Sequence, residues 1–173
     1  IWNGMTLTDD IMANTACTKP YAKNAQVVVM KADAAYASTA DLAGKTVVAE
    51  AGSAGETAIS EDAGLSQAEY ISKSVQTDCL MEVAAGTSDA CVIDLLMAGA
   101  MIGEGTSYPN LTYTVNLNEA NGEEDENYVV GFRKGSDLTE AFNDFYKGAY
   151  KDGVILSFAQ KYGVQEAIVD PEA

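Results

Sequence analysis

Thr46-Val47-Val48-Ala49-Glu50-Ala51-Gly52-Ser53-Ala54-Gly55-Glu56 joins a β-branched run to a Gly-Ser turn and the first turn of a helix. The run has the length and composition of a buried strand. Ser53 and Glu56 have the spacing of a capping box, which marks a helix start. The same alternation extends outward in both directions. Strands are predicted over 25–30, 46–50, 69–72, 89–93, 111–115 and 127–132. Helices are predicted over 54–63, 77–85, 95–102, 138–150 and 153–162. Within 77–85, Leu80, Val83 and Ala84 share one face. Strands alternating with helices imply an α/β architecture with a mainly parallel sheet. The segment 118–127 is polar and acidic and lacks the spacing of a calcium-binding EF-hand loop. It is predicted to be a solvated connection, with weak cation binding as the minor alternative.

Composition narrows the function classes. The chain has 173 residues, 47% apolar and 21% charged, enough to bury a core in one domain or two small lobes. Lys plus Arg number 10 against 26 Asp plus Glu, a formal net charge of −16. That balance argues against nucleic acid and anionic lipid as partners. No apolar run reaches membrane-spanning length. The absence of histidine removes Ser-His-Asp and Cys-His catalysis and every His-ligated metal site. No cofactor or metal is expected. Cys17, Cys79 and Cys91 are too few and too far apart for a disulfide framework, though one Cys79–Cys91 bridge remains open. Cys91 lies in an apolar run and is expected to be a small core residue. The opening Ile1-Trp2-Asn3-Gly4 has no initiator Met and no signal-peptide pattern, so the chain reads as starting inside a fold.

Three places could hold a ligand. Ser53, Ala54 and Gly55 place backbone N–H groups at a helix N-terminus, which suits an anion; the plainer reading is that Ser53 and Glu56 only cap the helix. Asp94 directly follows the strand at 89–93, and open α/β sheets bind ligands beyond the carboxyl ends of their strands. A carboxylate there can hold an ammonium group, or it can simply N-cap the next helix. Asn3, Gly4 and Thr6 offer backbone and hydroxyl groups at a strand end, or form an ordinary strand terminus. Trp2 is read as core, and Lys19-Pro20-Tyr21 as a rigid turn with a packed ring.

Gly4-Met5-Thr6-Leu7-Thr8, Thr18-Lys19-Pro20-Tyr21 and Gln26-Val27-Val28-Val29 resemble the extracytoplasmic solute-binding proteins (family 3) of polar amino-acid ABC transporters. The likeness continues through Asp41-Leu42-Ala43-Gly44-Lys45, Ala51-Gly52-Ser53, Gly86-Thr87-Ser88-Asp89-Ala90 and Gly131-Phe132-Arg133-Lys134-Gly135. The resemblance implies a periplasmic-binding-protein-like fold, two α/β lobes joined by two hinge strands, with the ligand held between lobes that close over it. It places lobe 1 at 1–30 and 111–173 and lobe 2 at 31–110. The family's opening strand-helix-strand-helix section has no counterpart, so lobe 1 is expected to be incomplete and to expose apolar surface and strand edges. A domain-swapped or edge-paired homodimer, or a disordered lobe 1 remnant, is expected from that.

In the family pattern an arginine three positions after Gly-Met-Thr-x-Thr grips the ligand's α-carboxylate. Ile11 stands there, and Arg133, the one arginine of the chain, belongs to a late strand. Losing that pair removes roughly 1.5–3 kcal/mol of charged hydrogen bonding. The ligand is then a weakly held amino acid, an amine without a carboxylate, or one held by a substitute lysine, Lys19 or Lys23. The function implied is capture of a small amine-bearing solute for an ABC permease, outside the cytoplasm, without enzymatic turnover. The alternatives are a sensory or interaction domain that has lost ligand binding, and a dehydratase-like enzyme, for which Glu50 and Glu56 are the nearby carboxyls.

Overall fold

The structure is a computed structural model, which describes every residue except 115, 122–125 and 173. In chain order its elements are β1 (Met5–Thr6), α1 (Asp9–Asn14), β2 (Ala16–Cys17), β3 (Ala22–Asn24), β4 (Gln26–Lys31) and β5 (Thr46–Glu50). Then come α2 (Ala54–Glu61), β6 (Glu69–Lys73), α3 (Gln76–Ala85), β7 (Ala90–Asp94) and α4 (Leu95–Met101). The chain closes with β8 (Leu111–Tyr113), α5 (Leu117–Asn121), β9 (Glu126–Val129), β10 (Gly131–Phe132), α6 (Leu138–Lys151) and α7 (Val154–Tyr162). It divides into a terminal unit, Ile1–Asn24 with Asp125–Ala173, and a central unit, Ala25–Glu124.

The central unit is built on a five-stranded sheet of order β6-β5-β7-β4-β8. β5 pairs in parallel with β6 and β7, whereas β4 runs antiparallel to β7 and to β8. The sheet is therefore mixed, not mainly parallel as the alternation suggested. Helices α2, α3 and α4 carry the chain back between β5, β6, β7 and β8, so those four strands point the same way. Only a short 3-10 turn at Thr39–Leu42 lies between β4 and β5, and β4 inserts between β7 and β8 in the opposite sense. β4 and β8 are thus internal to the central unit. The two compact units meet at 24/25 and 124/125, so the central unit holds the whole expected lobe 2, 31–110, together with the strands that flank it.

Side-chain alternation explains why these strands read as unbroken apolar runs. Val27, Val29, Val48, Cys91 and Ile93 face α3 and α4, packing on Cys79, Leu80, Val83 and Ala98. Val28, Met30, Val47, Ala49 and Val92 face the other way, onto Ile59 of α2, Leu42, Leu65 and Leu117. A strand buried on both faces has no polar position to show. Each fully buried aliphatic side chain contributes roughly 1.5–3 kcal/mol. The three cysteines are free thiols. Burial, ahead of the nearby Glu50 and Asp78 carboxylates, pushes Cys79 up to about 11.

The terminal unit pairs β1 and β3 on either side of β9, and β2 with β10, all antiparallel. The single strand expected at 127–132 is two strands, broken at Val130, whose N–H donates to the Thr18 hydroxyl (3.0 Å). The outer edge of β3 is partly covered. Ala22 bridges to Ile168, and Val169 N–H donates to the Tyr21 carbonyl. Trp2, expected in the core, is 56% exposed and sets its ring edge-on to Phe142 at 5.1 Å. Of the acidic segment 118–127, residues 118–121 lie in α5 and Glu126 opens β9; 122–125, like 115 at the end of the expected fifth strand, lie outside the described residues.

Two stability predictions follow from local geometry. Gly64 leaves no room for a side chain, since a Cβ there would overlap backbone atoms of Thr39 and Ala40. Gly64→Ala is expected to destabilise the central unit by about 1–3 kcal/mol in a denaturant titration. The second concerns acid. Glu56 is held below its ordinary 4.5 by the Gly52 N–H and the Tyr70 hydroxyl, and Glu82 by Lys73 and the Thr87 hydroxyl. Burial raises the Asp62 carboxyl, but the Leu65 N–H, the Thr39 hydroxyl, the Gly64 N–H and the Asn121 amide outweigh it, leaving it below 3.8. Lowered folded values stabilise the fold above the unfolded values and lose that contribution as pH falls through them. Melting temperature is expected to hold near neutrality and to drop steadily below about pH 4.5.

Candidate functional site

The carboxyl ends of β5 and β7 carry Glu50 and Asp94. Asp94 occupies the cap position of α4, yet its side chain makes no capping bond to that helix. Two glutamine amides hold its carboxylate instead. Gln26 Nε2 donates to Oδ1 at 2.8 Å, and Gln76 Nε2 donates to Oδ2 at 2.6 Å. Gln76 also accepts the Asp94 backbone N–H through Oε1 at 3.0 Å, so one amide grips Asp94 at two points. Gln76 is fixed in turn by its own N–H, which donates to Glu50 Oε2 at 3.2 Å. Each side chain in this row is held by the next, which fixes the Asp94 oxygens in direction as well as in place.

Gln26 sits there because of strand register. It opens β4, and the antiparallel ladder sets its Cα opposite that of Asp94. Its side chain is buried, at 2% exposure. It also touches the start of α2: a Cβ at Gly55 would lie 3.1 Å from Gln26 Oε1 and 2.9 Å from the Val92 carbonyl. Only a glycine lets this helix end come so close to the sheet. Gln26 therefore links two of the three sequence-predicted places, the α2 N-terminus and Asp94.

The α2 N-terminus combines capping with free donors. Ser53 Oγ accepts the Glu56 N–H at 3.2 Å, as the capping box predicts. Glu56, however, reaches past Ser53 and accepts the Gly52 N–H at 2.6 Å, while Ser53 N–H donates to the Glu50 carbonyl. Tyr70 steadies Glu56 by donating to its other oxygen at 2.9 Å. Among the described residues, the N–H groups of Ala54 and Gly55 have no acceptor within the protein. Two donors at a helix N-terminus suit a carboxylate.

In the terminal unit the predicted residues are partly committed to the fold. Gly4 has φ +70°, and its N–H donates to the Tyr21 hydroxyl at 3.2 Å. The Thr6 hydroxyl donates to Glu126 Oε2 at 3.2 Å, and Asn24 Nδ2 donates to the same oxygen at 3.0 Å. Gly4 keeps its carbonyl and Thr6 its hydroxyl lone pairs as acceptors. Asn3 is exposed. Ile11 is half-buried in α1, and its N–H donates to the Thr8 cap at 3.2 Å. Of the substitute lysines considered, Lys19 is tied to the end of the chain by a 2.9 Å bond from Nζ to the Pro171 carbonyl.

Sequence reasoning missed Gln26, Gln76, Glu50 as a bracing residue, and the pairing of Thr6 and Asn24 with Glu126. Gln26 had one visible signal, a polar residue opening a Val-Val-Val run. Gln76 and Glu126 had none, because their partners are set by tertiary contact.

No protein-family model and no curated protein sequence matches the chain. Solved structures do. A variant of ArgBP from T. maritima superposes with a TM-score of 0.78 at 28% identity, covering 92% of this chain and 66% of its own. The substrate-binding protein of an amino acid ABC transporter gives 0.80 at 24% identity, covering 92% and 68%. Tv2483 bound to L-arginine gives 0.80 at 23%, covering 94% and 64%. The chain thus spans about two thirds of the length of the solved proteins it matches. No helix among the described residues is long and apolar enough to cross a membrane. By fold, this chain is a periplasmic-binding-protein-like α/β protein of two units, built like the amino-acid-binding proteins of transporters.

Proposed function

We propose that this chain captures a small amine-bearing solute, an amino acid or a related amine, as the extracytoplasmic substrate-binding component of an ABC transporter, and hands it to a membrane permease. Asp94 accepts the ligand's ammonium group. The Ala54 and Gly55 N–H groups, with the Ser53 cap behind them, receive its carboxylate where it has one. The observation that carries this reading is the bracing of Asp94 by Gln26 and Gln76 at a strand's carboxyl end, beside the α2 N-terminus. A carboxylate serving only as a helix cap would be bonded to its own helix. The likeness to ArgBP and to an amino acid transporter's binding protein supports the same reading. It is one of binding without turnover, so the solute leaves unchanged.

With Ile11 at the clamp position, the carboxylate rests on two backbone amides in place of a guanidinium fork, and loses the bidentate ion pair while keeping charge-assisted bonds. Amino acids should therefore bind about tenfold or more tighter than their decarboxylated amines.

A thermal-melt panel of amino acids, amines and small carboxylates tests the function directly. A ligand that binds only the folded state, at about 100 times its Kd, adds about 2.7 kcal/mol and raises the melting point by several degrees. Amines and amino acids should raise it; simple carboxylates should not. No shift with any amine-bearing compound would sink the reading. Asp94→Asn is expected to weaken binding at least about tenfold by calorimetry. Gly55→Ala is expected to push Gln26 aside, costing about 1–3 kcal/mol in stability and weakening ligand binding as well.

A further inference from the structure

A cavity of about 520 Å³ lies in the central unit, at the end of β4 remote from Asp94. The ladders of β4 set Gln26 opposite Asp94 at one end and Lys31 opposite Leu111 at the other. Five residue steps of extended chain separate those ends by roughly 17 Å. Small-molecule sites span roughly 300–1,000 Å³, so the volume suits a compact solute. Lys31 and Asp33 line the cavity together with Ala84 of α3 and the segment from Ser107 to Leu111.

The lining is held in place. Thr106 Oγ1 donates to the Gly103 carbonyl at 2.7 Å, and Tyr108 N–H to the Met101 carbonyl at 3.0 Å. Ala32 N–H donates to the Asn110 carbonyl at 3.0 Å, which ties the turn after β4 to the segment before β8. Tyr108 is half-buried against the core, and Leu111 is buried. Lys31 is placed by Gly86. A Cβ there would lie 2.8 Å from Lys31 Nζ, and φ at Gly86 is +77°, a conformation that glycine takes without strain. The ammonium therefore rests at the C-terminal end of α3, where the helix dipole favours a cation.

Charge and shape say what fits. Among the described residues, Lys31 and Asp33 have no ion-pair partner and do not pair with each other. The Ser107 and Tyr108 hydroxyls also have no hydrogen-bond partner there. The cavity thus offers one cation, one anion and two hydroxyls beside an apolar lining of Ala84, Tyr108 and Leu111. A simple anion would leave Asp33 unmatched, and a simple cation would leave Lys31 so. We propose that this cavity is a second solute site that takes a small zwitterion with an apolar side chain, a free amino acid of the leucine or phenylalanine kind. Lys31 receives its carboxylate, Asp33 its ammonium, and Tyr108 and Leu111 its side chain. This site is separate from Asp94 and does not depend on what Asp94 binds.

Calorimetry with L-phenylalanine tests this, on the 173-residue chain carrying Asp94→Asn so that the other site is disabled. The expected result is one phenylalanine bound per chain, with Kd below about 1 mM. Lys31→Met and Asp33→Asn are each expected to weaken binding at least about tenfold. Phenethylamine, which lacks the carboxylate, and hydrocinnamate, which lacks the ammonium, should bind at least about tenfold more weakly than phenylalanine. Ala84→Trp should fill the cavity and abolish binding. Lys31, Asp33 and Ala84 are all exposed, so circular dichroism and melting of the unliganded variants should stay unchanged. Absence of phenylalanine binding up to about 10 mM overturns the proposal. So does binding that survives both Lys31→Met and Asp33→Asn, or binding in which phenethylamine or hydrocinnamate equals phenylalanine.

Discussion

The antiparallel register between β4 and β7 sets Gln26 opposite Asp94, and the candidate site depends on that pairing. A slip of one residue would turn the Val27–Met30 side chains to the opposite faces of the sheet and take Gln26 away from Asp94 at the same time. The core forbids it. Val27 and Val29 are buried against α3 and α4, Val28 and Met30 against α2, so neither face of β4 can be exchanged for the other. The same apolar packing that stabilises the central unit thus fixes the direction of a charged side chain at its edge.

Around that register the remaining polar groups form a braced row. Glu50 positions Gln76, Gln76 grips Asp94 at two points, and Gln26 meets Asp94 from the other side while lying against Gly55. Hydrogen bonds to a charged group contribute roughly 1.5–3 kcal/mol each, about twice a neutral pair. A carboxylate held in this way has its oxygens fixed in place and direction. The terminal unit is organised differently: its ladders are short, and an apolar sector of α6 and most of one face of α7 remain open.

Where sequence reasoning succeeded, a local signal was strong. The 46–50 run became β5 with the same ends, and α2 begins at Ala54 behind a Ser53 cap. Where it fell short, the deciding contact was distant. The capping box closed only at Ser53, because Gly52 offered Glu56 a nearer donor. Strands of two or three residues, such as β1, β2 and β10, exist only through their partners, so no window of sequence shows them. The opposed direction of β4 was equally hidden, since an apolar run looks the same in either sense.

By itself the sequence determined the alternation of strands and helices, the burial of the valine-rich runs, the exclusion of histidine chemistry, and the candidacy of Asp94 and of the turn at Ser53–Gly55. Composition and periodicity carry those properties, and both are local. The tertiary structure alone decided that Asp94 is held by Gln26 and Gln76, and that the helix start and the carboxylate share one neighbour. It also decided that α6 and α7 keep an uncovered apolar face. Those outcomes depend on which residues 18 or 68 positions apart are brought into hydrogen-bond distance, and packing and register set that.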